Sequence, residues 1–295
     1  MTVSIIPGVL YVVATPIGNL DDISLRALTV LRCVDLIAAE DTRHSLPLLR
    51  HFQINKPLLS FHEYNEKSRI PDLLELLSEG KSIALICDAG TPLISDPGFH
   101  LLQSLRKRHL KAIPIPGPSS LLAALSVAGL PTDRFVFEGF LPARSAARRS
   151  RLAVLAQEER TLVFFEATHR LQSTLQDMVD KFGGDRKAVV ARELTKLFEE
   201  LYGDTLYGIC QWIAADEVRQ KGEFVILVQG ASKLSDEDVM AAQTYQILKA
   251  LLEELPLKQA VKLGTKITGW KKNELYKLAL TINHGNESQT YYDNE

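Results

Sequence analysis

Two aspartates, two prolines and two glycines crowd the string CDAGTPLISDPG (87–98), which lies between the apolar run SIALI and the apolar-periodic FHLLQSLRK. Proline presets φ and glycine permits positive φ, so such a loop can hold backbone N–H and C=O groups at preset positions beside a ligand. Two further loops of related composition follow strand-like runs: ATPIGNLDD (14–22) and IPGPSS (115–120). A pyrophosphate would favour a G-x-G-x-x-G turn or a Walker lysine, and the chain has neither motif. A carboxylate such as Asp88 favours a cation instead.

The elements that must position these loops follow from hydrophobic periodicity. GVLYVVA, LIAA, SIALIC and KAIPI are short, continuous apolar runs; ISLRALTVLRCVD, PDLLELLS, HLLQSLRKR and SSLLAALSVAG have helical spacing. Alternation of the two predicts a mostly parallel sheet covered on both faces. Its strands would share one carboxyl edge, where ligands bind, and the three loops converge there. S-adenosylmethionine, with its sulfonium, fits a crevice read by backbone groups and a carboxylate. The alternative is that Asp88 and Asp96 only brace turns or cap the next helix.

From about Pro118 the pattern changes to strands with fewer helices between them: RFVFEGF, TLVFFEA, KAVVAREL, KLFEELYGDTL and GEFVILVQG. A mixed sheet is expected. After Gly230 three helical segments follow, interrupted by Pro256 and by Gly269-Trp270, which suggests a small helix-turn-helix-like appendage. The expected division is therefore an N-terminal α/β domain over 1–117, a C-terminal α/β domain over 118–232 and a helical appendage over 233–295.

At 295 residues and 46% hydrophobic content the chain can bury a substantial core, and its net charge of −2 excludes a globally basic nucleic-acid binder. The charge is uneven, with six Lys against one Glu between Pro256 and Lys277. Cys33, Cys87 and Cys210 stand far apart without a C-x-x-C, and the seven His show no paired ligand spacing, so neither a disulfide framework nor a metal site is indicated. No apolar run reaches a membrane-spanning length of ~18 residues, and the start lacks a signal-peptide pattern. A cytoplasmic location is expected.

The strings ATPIGNLDDISLRAL, AAEDTRHS, SFHEYNE, DAGTPLISDPG, PIPGPSSLLAALSVAGLP, FEGFLP, RELTKLFEE and GEFVILV, in this order over Val9–Val228, closely resemble the ribosomal-RNA methyltransferases of the tetrapyrrole methylase superfamily, the class III S-adenosylmethionine-dependent enzymes. Cys87, where Ser is expected, and Thr168, where Pro is expected, depart from that wording. The resemblance implies a two-domain tetrapyrrole-methylase-like α/β fold with a helical C-terminal appendage, a homodimer, no metal and S-adenosylmethionine as methyl donor. It implies 2′-O-methylation of a decoding-centre cytidine, cytidine 1402, in the 16S rRNA of the small ribosomal subunit. By the same resemblance Asp88, Ala89, Gly90, Leu93, Ile94, Ser119, Ser120, Phe165 and Glu166 hold the cofactor.

Methyl transfer to a ribose hydroxyl needs the oxygen, methyl carbon and sulfur in line, and assistance with the hydroxyl proton. Asp41, Glu63 and Glu166 are candidate acceptors, and Arg43 or Arg170 candidate stabilisers of the alkoxide or a phosphate. Asn19, Asp41 and Arg43 are preferred, since TPIGNL and EDTR both follow strands at the ligand edge. Arg144, Arg148 and Arg151 recur at i, i+4, i+7, which predicts one basic helix face for RNA phosphates, unless that face is merely solvated. Rival readings are a methylase acting on a tetrapyrrole, a non-catalytic RNA-binding or ribosome-assembly factor, and a nicotinamide dehydrogenase, which the missing glycine motif disfavours.

Overall fold

The computed structural model describes residues 4–232 and 236–289. The chain divides into two compact units, Met1–Ala231 and Ser232–Glu295, and both sheets lie in the first. The first sheet contains β1 (Val9–Val13), β2 (Leu36–Ala39), β3 (Leu58–Ser60), β4 (Ile83–Ile86) and β5 (Lys111–Ile115), ordered β3-β2-β4-β1-β5 with every pairing parallel. Helices α1 (Leu25–Cys33), α2 (Thr42–His51), α3 (Glu66–Ser78) and α4 (Phe99–Lys107) connect the strands. Neither α2 nor the short β3 is among the elements expected from the sequence: α2 is polar overall with Pro47 inside it, and β3 has only three residues.

Side-chain alternation explains why the strands read as unbroken apolar runs. Val9, Tyr11, Val13, Ile37, Ala39, Ala84 and Ile86 pack against α1 and α2, whereas Leu10, Ala38, Ile83 and Leu85 pack against α3 and α4. The register Tyr11↔Ala84 and Ile37↔Ala84 keeps each set on one face. Each fully buried aliphatic side chain contributes ~1.5–3 kcal/mol.

The second sheet is mixed, in the order β6-β7-β10-β8-β9 over β6 (Phe135–Phe140), β7 (Thr161–Ala167), β10 (Glu223–Val228), β8 (Lys187–Arg192) and β9 (Glu200–Thr205). Only β6 and β7 run parallel; the other pairings are antiparallel. One face packs on α6 (Ser145–Leu155), α7 (Leu171–Phe182) and α8 (Leu206–Ala214) through Leu162, Phe164, Val190 and Ile226. The opposite face, Val163, Val189, Ala191, Val225 and Leu227, is covered by Leu121, Ala124 and Leu125 of α5 (Ser120–Val127). Thus α5, which continues the βαβ rhythm of the first sheet in sequence, buries its apolar face on the second.

Gly139 forms a bulge at φ +63°, and a side chain there would meet Ser95 Oγ at 3.1 Å. The bare glycine lets the loop after β4 approach the end of β6. Within the second unit, α9 (Asp236–Glu254), α10 (Leu257–Thr268) and α11 (Lys272–Gln289) enclose a small core of Leu248, Val261, Leu275, Ala279 and Ile282. Gly269 ends α10 in the left-handed conformation that opens the tight turn to α11. No helix among the described residues is long and apolar enough to cross a membrane.

Candidate active site

In a parallel sheet the carboxyl ends of all strands meet on one edge, and here the loops after β1, β2, β4 and β5 line a cavity of about 370 Å³. Ile17, Glu40, the segment Asp88–Thr91, Ile94–Asp96, Ser119 and Ser120 form one wall. The opposite wall is one end of the second sheet: Phe140, Phe165 and Glu166, Ala191 and Leu194, and Glu223–Val225. Antiparallel pairing brings the last residues of β7 and β8 beside the first of β10. The volume suits a small molecule, with an apolar lining punctuated by a few polar groups.

Local chemistry shapes the central loop. Gly90 sits at φ +83° and exchanges two backbone hydrogen bonds with Thr15, 2.8 and 3.0 Å, tying the loop after β4 to the end of β1. Cys87 is buried and donates weakly to the Ala89 and Gly90 carbonyls, so it takes the place of the expected Ser with its small, buried donor. At the far end, Glu66 on α3 accepts from the N–H groups of Gly98, His100 and Leu101 at 3.2, 3.1 and 3.4 Å. A non-local carboxylate therefore caps α4, and Asp96 lines the cavity rather than capping that helix. Leu93, at φ +74°, packs its side chain into the core against Leu85 and Gly98; unlike Ile94 it is not part of the cavity wall.

The cavity is strongly acidic. Glu40, Asp88, Asp96, Glu166 and Glu223 line it, and no Lys, Arg or His is among the lining residues. Burial, and then the charge of Asp96, raises the Glu40 carboxyl above its ordinary range; Asp96 is raised by burial as well. Burial and the nearby Asp96 also push the Cys87 thiol up, which keeps it protonated. Packed carboxylates that resist ionisation mark a place where a cation is favoured. Asp88 is held on both oxygens: Oδ1 accepts from the Asp41 N–H at 3.1 Å, and Oδ2 lies 3.0 Å from His44 Nδ1.

Several residues singled out from the sequence occupy other roles. Asn19 caps a short helical turn, accepting from the Asp21 N–H at 3.1 Å, and is not a lining residue. Asp41 caps α2 and grips the Arg43 guanidinium through both oxygens. The hydrogen bonds from Arg43 hold its carboxyl far below the usual range, so it is an anchor for Arg43 and a poor proton acceptor. Arg43 itself is exposed. Glu166 contributes to the wall, yet its carboxylate turns inward to Arg170 at 2.7 Å, to the Thr174 hydroxyl at 2.6 Å and to the Ala167 N–H at 2.8 Å. That internal brace removes both Glu166 and Arg170 as free catalytic groups. Glu63 is exposed and lies outside the cavity lining. Thr168 ties the end of β7 to the start of β10 by donating to the Gly222 carbonyl at 2.6 Å.

The arginine face is corrected most. Arg148 is 4% exposed and places Nε and Nη2 each 2.7 Å from Asp177 Oδ2. Arg149 pairs with Asp177 and Asp180, and Arg151 forms a two-point pair with Glu138. Only Arg144, the residue preceding α6, is exposed without an ion pair among the described residues. The i, i+4, i+7 spacing runs from the residue before α6 into the helix, but Arg148 is buried against Asp177 of α7 and Arg151 is tied to Glu138 of β6, so the three guanidiniums do not form one free basic face.

Sequence reasoning overlooked Glu40, Thr91, Ser95 and Phe140 as wall residues. Glu40 alone had a usable signal, as the first polar residue after a buried strand.

A profile described as Tetrapyrrole (Corrin/Porphyrin) Methylases matches residues 9–210, and one described as RsmI C-terminal HTH domain matches 238–283. A protein of Pseudomonas aeruginosa named ribosomal RNA small subunit methyltransferase I is 54% identical over 92% of this chain and 97% of its own length. Its namesake from Escherichia coli O157:H7 is 51% identical over 92% and 95%. Among solved structures, cobalt precorrin-4 methyltransferase matches with TM-score 0.58 and 19% identity over 75% of this chain and 95% of that one. Diphthine synthase matches with TM-score 0.58 and 16% identity over 77% and 91%. At such identities the solved structures show a shared fold.

Proposed function

The chain belongs to the tetrapyrrole methylase family and, within it, groups with the ribosomal RNA small subunit methyltransferases I; from that premise we propose that it methylates the 2′-hydroxyl of a decoding-centre cytidine, cytidine 1402, in 16S rRNA. The methyl donor in this reading is S-adenosylmethionine. The observation that carries it is the cavity at the carboxyl edge, acidic and without a basic lining residue. That composition repels phosphates and favours a sulfonium or an ammonium.

The residues present fit the donor. Asp88 supplies negative charge, and Glu40 and Asp96, whose ionisation burial opposes, ionise more readily beside a bound cation; the backbone around Ala89 and Gly90, with Ser119 and Ser120, supplies hydrogen-bonding groups; Ile94, Phe140, Phe165 and Leu194 supply apolar surface. Ser119 makes no side-chain cap hydrogen bond to α5, which supports a ligand role over capping. When bound, the donor supplies an electrophilic methyl group on its sulfonium sulfur. The protein's part is to exclude water, hold the ribose oxygen in line with that carbon and accept the hydroxyl proton.

We assign recognition of the folded RNA substrate to the second unit. Lys258, Lys262, Lys266, Lys271, Lys272 and Lys277 are all exposed there, on or beside α10 and α11, and suit phosphate contacts. The same reading takes the domain boundary to fall at 117/118 and the appendage to begin at 233, the protein to work in the cytoplasm, and the active species to be a homodimer. Exposed apolar side chains on the first unit, among them Leu197 at 89% and Phe198 at 66%, support the dimer. Light scattering on the purified chain tests it.

Calorimetric titration with S-adenosylmethionine should show binding to wild type and weaker binding to Asp88→Ala. Mapping ribose methylation in rRNA from cells lacking the protein should show one unmodified decoding-centre cytidine, restored by the wild-type gene. Unchanged ribose methylation in such cells would remove the proposal.

A further inference from the structure

Four candidate proton acceptors around the cavity can be followed to their surroundings. Asp41 is consumed by Arg43 and the start of α2, and Glu166 by Arg170, Thr174 and Ala167. Asp96 lies within the acidic wall beside Cys87. Glu40 is half-buried and accepts the Asp88 N–H at 3.4 Å. His44 differs from all four. It sits in the first turn of α2, its Nδ1 is 3.0 Å from Asp88 Oδ2, and its side chain is 70% exposed. Among the described residues Nε2 has no hydrogen-bond partner, so the ring is anchored through Nδ1 on Asp88, a residue of the cavity wall, while Nε2 is open.

We propose that His44 is the general base of the methyl transfer, oriented by Asp88. This rests on the reading of the protein as a ribose methyltransferase. Asp88 is held rigid because its other oxygen accepts the Asp41 N–H at 3.1 Å, which fixes the rotamer that faces His44. A neutral imidazole that donates its Nδ1 proton to a carboxylate presents Nε2 as an acceptor. In the transfer, Nε2 takes the ribose hydroxyl proton and becomes imidazolium. The oxygen forms its bond to the methyl carbon, the carbon–sulfur bonding pair stays on sulfur, and His44 later gives its proton to water. Asp88 stabilises the imidazolium as it forms. The charged groups facing His44 are Asp88 and Asp41, which favour its protonated form, and Arg43, which opposes it; the hydrogen bond to Asp88 dominates and raises its pKa.

Two measurements test the dyad. The first needs no donor or RNA: an NMR titration of the His44 ring in the full chain should give a midpoint above the ordinary 6.5 in wild type and a lower one in Asp88→Asn. Equal midpoints would overturn the pairing. The second is single-turnover methylation of small ribosomal subunits. General-base assistance is worth ~10²–10⁴-fold, so His44→Ala should slow transfer at least ~100-fold with donor affinity unchanged, and free imidazole should restore part of the rate. His44→Gln keeps a donor for Asp88 but cannot take a proton, and should be as slow as His44→Ala. Transfer at the wild-type rate by His44→Gln would overturn the base assignment, as would a loss confined to Glu40→Gln. Wild-type protein that methylates no ribose would instead overturn the underlying reading and the dyad together.

Discussion

Truncation of Arg148 should lower the stability of this protein and leave its RNA binding unchanged. The Asp177 side chain is 8% exposed, and Arg148 supplies two contacts of 2.7 Å to one of its oxygens. Removing one member of a buried pair leaves an uncompensated charge, at ~3–5 kcal/mol. Arg149 at 3.3 Å from Oδ1 and Ser145 at 3.4 Å from Oδ2 would remain, which favours the lower end. With a first unit of 231 residues, ~3 kcal/mol corresponds to a melting temperature lower by about 6–12 °C. Arg149→Ala, at a side chain 44% exposed, should cost less than ~1 kcal/mol. Asp177→Ala strands a buried guanidinium and should be worse than Arg148→Ala, whereas Arg148→Met with Asp177→Leu should recover much of the loss. Urea and thermal unfolding of the full chain measure the series, beside RNA binding at several salt concentrations. If Arg148→Ala melts with wild type but flattens the salt dependence of RNA binding, the buried-pair account is refuted and the basic face stands.

Gly90→Ala should weaken binding of S-adenosylmethionine severalfold in calorimetry, because φ +83° strains any side chain and the added carbon would meet Ile17 at 3.3 Å. Asp35 accepts from the backbone and hydroxyl of Ser82, both at 2.7 Å, and the backbone hydrogen bond foremost holds its carboxyl below the ordinary value. A depressed folded pKa stabilises above the unfolded value and is lost as pH falls through the folded one. Asp35→Asn should therefore lower stability at neutral pH by less than about 1 kcal/mol, since solvent screens the exposed side chain, with the gap to wild type closing in acid unfolding as pH falls below the unfolded pKa. A chain ending at Ser232 retains the whole first unit, including the Ala231 N–H bond to the Glu158 carbonyl at 2.7 Å. It should melt cooperatively and bind the donor, yet methylate the ribosomal subunit poorly; a wild-type rate would contradict RNA recognition by the second unit.

Short continuous apolar runs and helical apolar spacing determined most strands of the two sheets and the three terminal helices, because burial is local in sequence and a strand covered on both faces is apolar throughout. The proline and glycine loops after β1, β4 and β5 were legible for a similar reason: parallel strands share an edge, so loop order alone places 14–22, 87–98 and 115–120 together. What the sequence left open was the partner of each charged group. Arg148 and Asp177 are 29 residues apart, and a basic helical face reads the same whether solvent or α7 covers it. Asp96 resembled a cap for α4 until Glu66, from another helix, was found to do that work. Asp41, Asp88 and His44 look alike as polar loop residues; Arg43, two residues on, consumes the Asp41 carboxylate, whereas only packing of α2 beside the loop after β4 holds Asp88 and leaves one ring nitrogen of His44 without a partner among the described residues. Charge pairing across long sequence separation is a property of the assembled tertiary structure, and it decides which carboxylates, imidazoles and guanidiniums remain available for chemistry.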